Sequence, residues 1–346
     1  MKATRVTVLG DGAMGTACAL LLAQQPERHS VTLWSAREEN GRILQQHREN
    51  LKLLPGVKIP SRVKLTMSLE EALDGVELLV AAVPMVYLRA TLAPLARHFR
   101  GRATPVVSVI KGIEVDSFKR ASEILVELLG PRDVIVMSGP GHAEEIVRGQ
   151  PTSLVVAGTD LELARWVQQL FSNPRFRLYT NADVLGVELA GALKNVIAIA
   201  AGVCDGLGFG DNAKSALMTR ALVEMIRFGV AHGAQEPTFF GLAGIGDLIT
   251  TCVSRHGRNR WVGEELGRGR ALGEILASTS KVAEGVYTAK SVFPRAQKLG
   301  LEMPISTEVY RMLYEGKPPL QAVEDLMSRD LKSERLKPTP SSEGAP

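Results

Sequence analysis

Lys194 stands out first among the residues able to do chemistry. It sits in the run VLGVELAGALKNVIAIAAGVC (184–204), whose other members are almost all apolar or small. On a helix it would share a face with Ala190, Ile197 and Ala198 one turn away. Desolvation there disfavours the ammonium form and draws its pKa towards neutrality, which suits a general acid or base. A second reading is equally open at this point: a lysine that snorkels to the surface or pairs with Glu188. A different chemistry is written near the amino terminus, where Gly10-Asp11-Gly12-Ala13-Met14-Gly15 follows the apolar run RVTVL and opens an Ala- and Leu-rich helix. Gly10 allows a tight turn, Gly12 lets backbone amides approach a pyrophosphate, and Gly15 lets helix and strand pack closely. The context of strand before and helix after predicts a dinucleotide site. NAD-specific sites usually carry an acid about 20 positions further on. Here that region reads Trp34-Ser35-Ala36-Arg37-Glu38, so the missing carboxylate and the Arg37 guanidinium lean towards NADP.

Other polar groups lie where a ligand could use them. Lys111 follows an apolar run at a strand end, and Gly139 and Gly141 flank Pro140 in a turn with accessible amides. Asp247 follows the glycine-rich GLAGIG and could hold Lys194 or a substrate hydroxyl. Gly257-Arg258-Asn259 offers a guanidinium fork and an amide, a pair suited to phosphate. Arg255, Arg258 and Arg260 read equally well as a solvated basic cluster.

The elements that must position these groups follow from periodicity. Strand candidates are RVTVL (5–9), SVTLW (30–34), VKLT (63–66), VELLVAAV (76–83), PVVSVI (105–110), DVIVMS (133–138), SLVVAG (153–158) and RFRLY (175–179). They alternate with helical patterns, and several are apolar throughout, as expected for a parallel sheet covered on both faces. The predicted class is α/β: an N-terminal Rossmann-like doubly wound sheet, then a mainly α-helical C-terminal domain. At 346 residues two domains are the default. The expected units are a dinucleotide-binding domain over 1–182, a helical substrate domain over 183–331 and a disordered Pro- and Ser-rich tail over 332–346.

Bulk properties narrow the functional class. Forty-one basic against 37 acidic residues give a net charge of +4, too small for a nucleic-acid stripe or a polybasic membrane patch. Cys18, Cys204 and Cys252 are scattered, so neither a disulfide framework nor a metal site is expected. A cytoplasmic location fits, since the amino terminus lacks a signal-length apolar segment. The 184–204 run could span a bilayer by length, but Glu188 and Lys194 at its middle argue for a buried helix and against stable membrane insertion.

Four blocks in order, VIKGIE (109–114), SGPGHAEE (138–145), ELAGALKNVIAIAAG (188–202) and GLAGIGDLITTC…GRNRWVG (241–263), resemble the bacterial NAD(P)-dependent glycerol-3-phosphate dehydrogenases. The resemblance runs to about residue 316. It implies hydride transfer between NAD(P)H and dihydroxyacetone phosphate, giving sn-glycerol 3-phosphate. By the same resemblance Lys194 is the proton donor and acceptor, Lys111 touches cofactor and substrate, and Asp247 belongs to the catalytic set. Gly139, Gly141, Gly257, Arg258 and Asn259 are substrate contacts. Ala13, Met14, Ala143, Arg258, Val282 and Glu284 join Gly10, Gly12, Gly15 and Arg37 around the cofactor. Gly141 stands where the family usually has Ser or Thr, Gly257 where it has Ser, and Ala13 and Met14 where Ser and Trp are common, so contacts there reduce to backbone. A homodimer and a supply role in phospholipid synthesis are further family expectations. The rivals are a two-domain dehydrogenase for another 2-oxo or 2-hydroxy acid, and a non-catalytic nucleotide-sensing module, against which the two lysines argue.

Overall fold

The computed structural model describes residues 3–99, 101–279, 281–331, 333 and 334. Apart from Ser333 and Glu334, the tail expected over 332–346 therefore lies outside the described residues. The first half forms one eight-stranded sheet from β1 (Thr4–Leu9), β2 (His29–Trp34), β3 (Lys64–Thr66), β4 (Leu78–Ala81), β5 (Val106–Ser108), β6 (Val134–Ser138), β7 (Thr152–Ala157) and β8 (Phe176–Asn181). Their order across the sheet is β3-β2-β1-β4-β5-β6-β7-β8. The chain leaves β1 towards β2 and β3 and then returns to β4 on β1's other side, which opens a crevice at the carboxyl ends of β1 and β4.

Register places the chemistry on one edge. Leu9 is opposite Trp34 and Ala81, Ala81 opposite Ser108, and Ser108 opposite Val136. The segments just beyond these residues, among them the glycine turn at 10–15, Lys111 and Gly139, thus emerge side by side. Alternation along the strands fills both faces: Val6, Val8, Val31, Leu33, Leu78 and Val80 join one apolar layer, while Leu9, Trp34, Leu79 and Ala81 join the other.

The sheet departs from the expected all-parallel arrangement at one pair. β7 runs antiparallel to β6, with Ser138 opposite Val155, and β8 is parallel to β7. A parallel return needs a crossover, usually a helix long enough to carry the chain back along the length of the strands. Here the linker contains only the five-residue helix Ala143–Val147, which stays at the carboxyl edge and sends the chain straight back.

From residue 184 onward the described residues contain no strand. The helix Val184–Gly206 forms the axis of this half, buried from Gly186 to Cys204. Asp183 caps its start, its carboxylate accepting from the Gly186 amide at 2.8 Å. It is apolar and long enough to cross a membrane, yet 89% of its most apolar window is buried within the protein. The helix Arg258–Gly267 packs directly against it. That approach requires glycine, because a Cβ at Gly202 would collide with the Arg260 carbonyl, and one at Gly263 with the Ile199 carbonyl. The close packing carries Asn259 to Asn195, the neighbour of Lys194 in the chain.

Candidate active site

Three charged groups from distant parts of the chain meet in this interior. The Lys194 Nζ donates to Asp247 Oδ1 at 2.7 Å, and the Lys111 Nζ donates to Asp247 Oδ2 at 2.6 Å. Asp247 is 2% exposed and Lys194 5%. Lys194 also donates to the Thr251 hydroxyl, and Lys111 to the Gly139 carbonyl at 3.0 Å. An ammonium has three donors, so each lysine retains one N–H beside the shared carboxylate. The snorkelling alternative for Lys194 is thereby excluded. So is pairing with Glu188, whose carboxylate instead takes the Arg120 guanidinium at 2.7 Å, the Ser122 amide at 2.9 Å and the Ser122 hydroxyl at 2.6 Å.

The electrostatics follow from burial and like charge. Burial lowers the Lys194 pKa to about 8, opposed by Asp247 and reinforced by the Lys111 charge. For Asp247, burial pushes the carboxyl up, but the Lys111 and Lys194 charges outweigh it and hold it below the usual range. Asp247 is thus a fixed carboxylate, while Lys194 is close to giving up a proton.

Tertiary placement of Asp247 comes from the segment before it. Leu242–Gly246 is an irregular turn of helix with a break at Gly244, and it leads into the helix Asp247–Val253. Asp247 and Thr251 stand four apart there, on one face, and both reach Lys194. That spacing within DLITT was a legible signal for Thr251, which the sequence reading missed. Asn195 was missed too. Its Oδ1 accepts from Asn259 Nδ2 at 2.9 Å, and Asn259 Oδ1 accepts from the Gly285 amide at 2.8 Å. With those two bonds made, Asn259 has one amide hydrogen left for a substrate. Arg258, the first residue of its helix, is exposed and has no hydrogen-bond or ion-pair partner among the described residues. Gly257 precedes that helix as its cap and leaves the first amides without a side-chain acceptor.

The residues expected around a dinucleotide lie on the carboxyl edge. Gly10 has a φ of 115°, and a Cβ at Gly15 would collide with the Gly10 carbonyl. Over Gly12 the space is open, the nearest atom to an added Cβ being the Ala82 carbonyl oxygen at 4.0 Å. The turn is therefore closed where helix must meet strand and open where a pyrophosphate would approach, so the residues present fit the cofactor. Ala13 and Met14 begin the helix Ala13–Leu22 that follows. Ala143 begins its own short helix and is buried. Val282 is half-buried just before the helix Glu284–Lys298, whose Glu284 Oε1 accepts from the Met85 amide at 2.9 Å and ties the two halves together. Burial pushes the Glu284 carboxyl up to about 7, against the Met85 amide and the Arg258 charge. Arg37 stands apart from the lysine cluster, exposed after β2, with its guanidinium 5.5 Å from the Tyr87 ring centre. At Gly141 the room a larger residue would need is taken by Leu154 methyls, the nearer 3.1 Å from an added Cβ.

Comparison with known proteins bears on this arrangement. The model of the NAD-dependent glycerol-3-phosphate dehydrogenase N-terminus matches residues 5–164, and that of the C-terminus of the same family residues 183–324. The chain is 48% identical over 333 residues to a glycerol-3-phosphate dehydrogenase (NAD(P)+) of Chlorobium phaeobacteroides strain BS1, covering 95% of this chain and 99% of that one. It is 48% identical over 332 residues to the Geobacillus thermodenitrificans enzyme of the same name, covering 95% and 96%. The crystal structure of glycerol-3-phosphate dehydrogenase from Coxiella burnetii superposes with a TM-score of 0.90 at 34% identity, covering 94% of this chain and 99% of that one.

Proposed function

The chain belongs to the NAD-dependent glycerol-3-phosphate dehydrogenase family, and from that premise we propose that Lys194 is the acid and base at the substrate oxygen while Lys111 and Asp247 set the field around it. The enzyme is an oxidoreductase that interconverts dihydroxyacetone phosphate and sn-glycerol 3-phosphate with NAD(P)(H). The observation that supports the residue assignment is the single buried carboxylate shared by two lysines, each with an N–H to spare. The cofactor, when bound, supplies or receives the hydride at C2. As charge develops on the C2 oxygen, Lys194 transfers a proton to it, and in the reverse direction takes that proton back. Lys111, held by Asp247 and Gly139, stabilises the same oxygen electrostatically. Arg258, the remaining Asn259 N–H and the helix amino terminus after Gly257 hold the phosphate, with Gly139 and Gly141 lining the opposite wall. Around the cofactor, Gly10, Gly12, Ala13, Met14 and Gly15 take the pyrophosphate, and Ala143, Val282 and Glu284 the nicotinamide half.

The finer parts of the proposal are a division into units at 182 and 183, a homodimer, a cytoplasmic location and a supply role in phospholipid synthesis. The sheet's end at Asn181 and the capped helix from Val184 support the division. Steady-state assay with dihydroxyacetone phosphate against unphosphorylated dihydroxyacetone tests the phosphate clamp. Equal turnover of the two would remove Arg258 and Asn259 from it.

A further inference from the structure

The helix Ala13–Leu22 begins at the glycine turn and stops roughly 15 Å away, at 1.5 Å per residue, where it opens on a separate cavity of about 570 Å³. That volume suits a small molecule. Leu21, Gln25 and Arg28 form one wall, between this helix and β2, and Ser172 and Arg175 in the turn before β8 form another. Gln25 Nε2 donates to the Ser172 carbonyl at 3.4 Å and joins the two. No acidic side chain lines the cavity, whereas two guanidiniums do. Arg28 is exposed, and its side chain has no hydrogen-bond or ion-pair partner among the described residues. Arg175 is exposed as well, and its guanidinium makes one hydrogen bond among them, to the Gly149 carbonyl at 3.4 Å. The floor is apolar. It consists of Leu21, Ile146 and Phe176, each at most 5% exposed.

We propose that this cavity is an effector site for an organic phosphate with an apolar body, and that its occupancy slows turnover from behind the substrate wall. Two guanidiniums without a carboxylate match the two charges of a phosphate monoester, where a carboxylate ligand would leave one unmatched. The apolar floor takes the body. The same three floor residues back a narrow void of about 20 Å³, whose other walls include Lys111, Ser138, Gly139 and Gly141. Two helices span the distance between cavity and active site. Ala143–Val147 starts just after Gly141 and ends just before Gly149, and it packs against Ala13–Leu22, which starts at the cofactor turn. Each thus has one end on the active site and the other on the cavity. So small a void leaves close-packed walls little slack, and a body seated on the floor presses it towards Gly139 and Gly141.

Hexyl phosphate is the test ligand, with inorganic phosphate and hexan-1-ol as its separate halves. Calorimetry on the full chain without substrate reads binding to wild type, to Arg28→Gln combined with Arg175→Gln, and to Arg258→Gln, so this arm does not depend on the catalytic roles proposed above. Hexyl phosphate should bind wild type and Arg258→Gln alike, and the double variant roughly tenfold or more weakly, as expected for lost hydrogen bonds to a charged group. Neither half should bind as tightly as the whole. In the steady-state assay hexyl phosphate should lower kcat at saturating dihydroxyacetone phosphate, and the double variant, with the wild-type rate in its absence, should escape that inhibition. No binding to wild type, or binding lost in Arg258→Gln and kept in the double variant, overturns the site. Inorganic phosphate binding as tightly as hexyl phosphate overturns the apolar half of the ligand. A sedimentation coefficient that differs between wild type and the double variant assigns this face to contact between copies of the chain and also overturns the site. Inhibition that is purely competitive with dihydroxyacetone phosphate, or equal in the double variant, overturns the coupling.

Discussion

The helix Val184–Gly206 buries two charges less than two turns apart, and they are treated in opposite ways. Glu188 receives three donors, from Arg120 and from the amide and hydroxyl of Ser122. Among the described residues Lys194 shares its one carboxylate with a second ammonium, and each lysine has a donor left over. A satisfied buried charge fixes packing, here of the segment 120–122 against the helix. Burial shifts both groups, the Glu188 carboxyl up and the Lys194 ammonium down, but only Lys194, next to a like charge, keeps a free donor, which is what proton transfer needs. The same desolvation therefore serves structure at one position and chemistry at the other.

Removing each side chain should separate the two roles. Lys194→Ala should lower kcat by roughly 10²–10⁴ with a melting temperature close to wild type; a rate within a few-fold of wild type would take Lys194 out of the mechanism. Glu188→Ala should act on stability instead, near the lower end of roughly 3–5 kcal/mol, because the Arg120 side chain it leaves behind is 19% exposed and can reach water. Urea unfolding measures this, and an unchanged midpoint would show that the pair contributes nothing.

A smaller effect comes from pH. With a Lys194 pKa of about 8, the ammonium needed for reduction is lost as pH rises through that value. Reduction of dihydroxyacetone phosphate should thus fall above pH about 8, while oxidation of glycerol 3-phosphate, which needs the neutral amine, should rise over the same interval. Profiles of kcat/KM in both directions check the sign, and parallel profiles would contradict it. The least change is expected from Thr251→Val, which removes one acceptor from Lys194: a loss of roughly tenfold or less in kcat, with the pH midpoint displaced. A pH midpoint identical to wild type would leave Thr251 with packing alone.

Much of this molecule could be read from local pattern. The strands and the glycine turn announce themselves because alternation, apolar runs and helix starts are properties of neighbouring residues. Lys194 was conspicuous because a charge within an apolar run is visible without coordinates. By contrast, Lys111 and Asp247 are 136 positions apart, and their meeting is decided by how the Leu242–Gly246 turn and the sheet edge dock onto one helix. The reversal of β7 depended on a linker whose one helix, of five residues, is too short to run back along the sheet. Asn195 and Asn259 were joined only by the glycine-to-backbone contact of two helices. Sequence by itself determined the nucleotide-binding edge and the lone buried lysine, since both are written in consecutive residues. Only the tertiary structure decided which carboxylate holds that lysine, because long-range pairing is set by packing that no local period encodes.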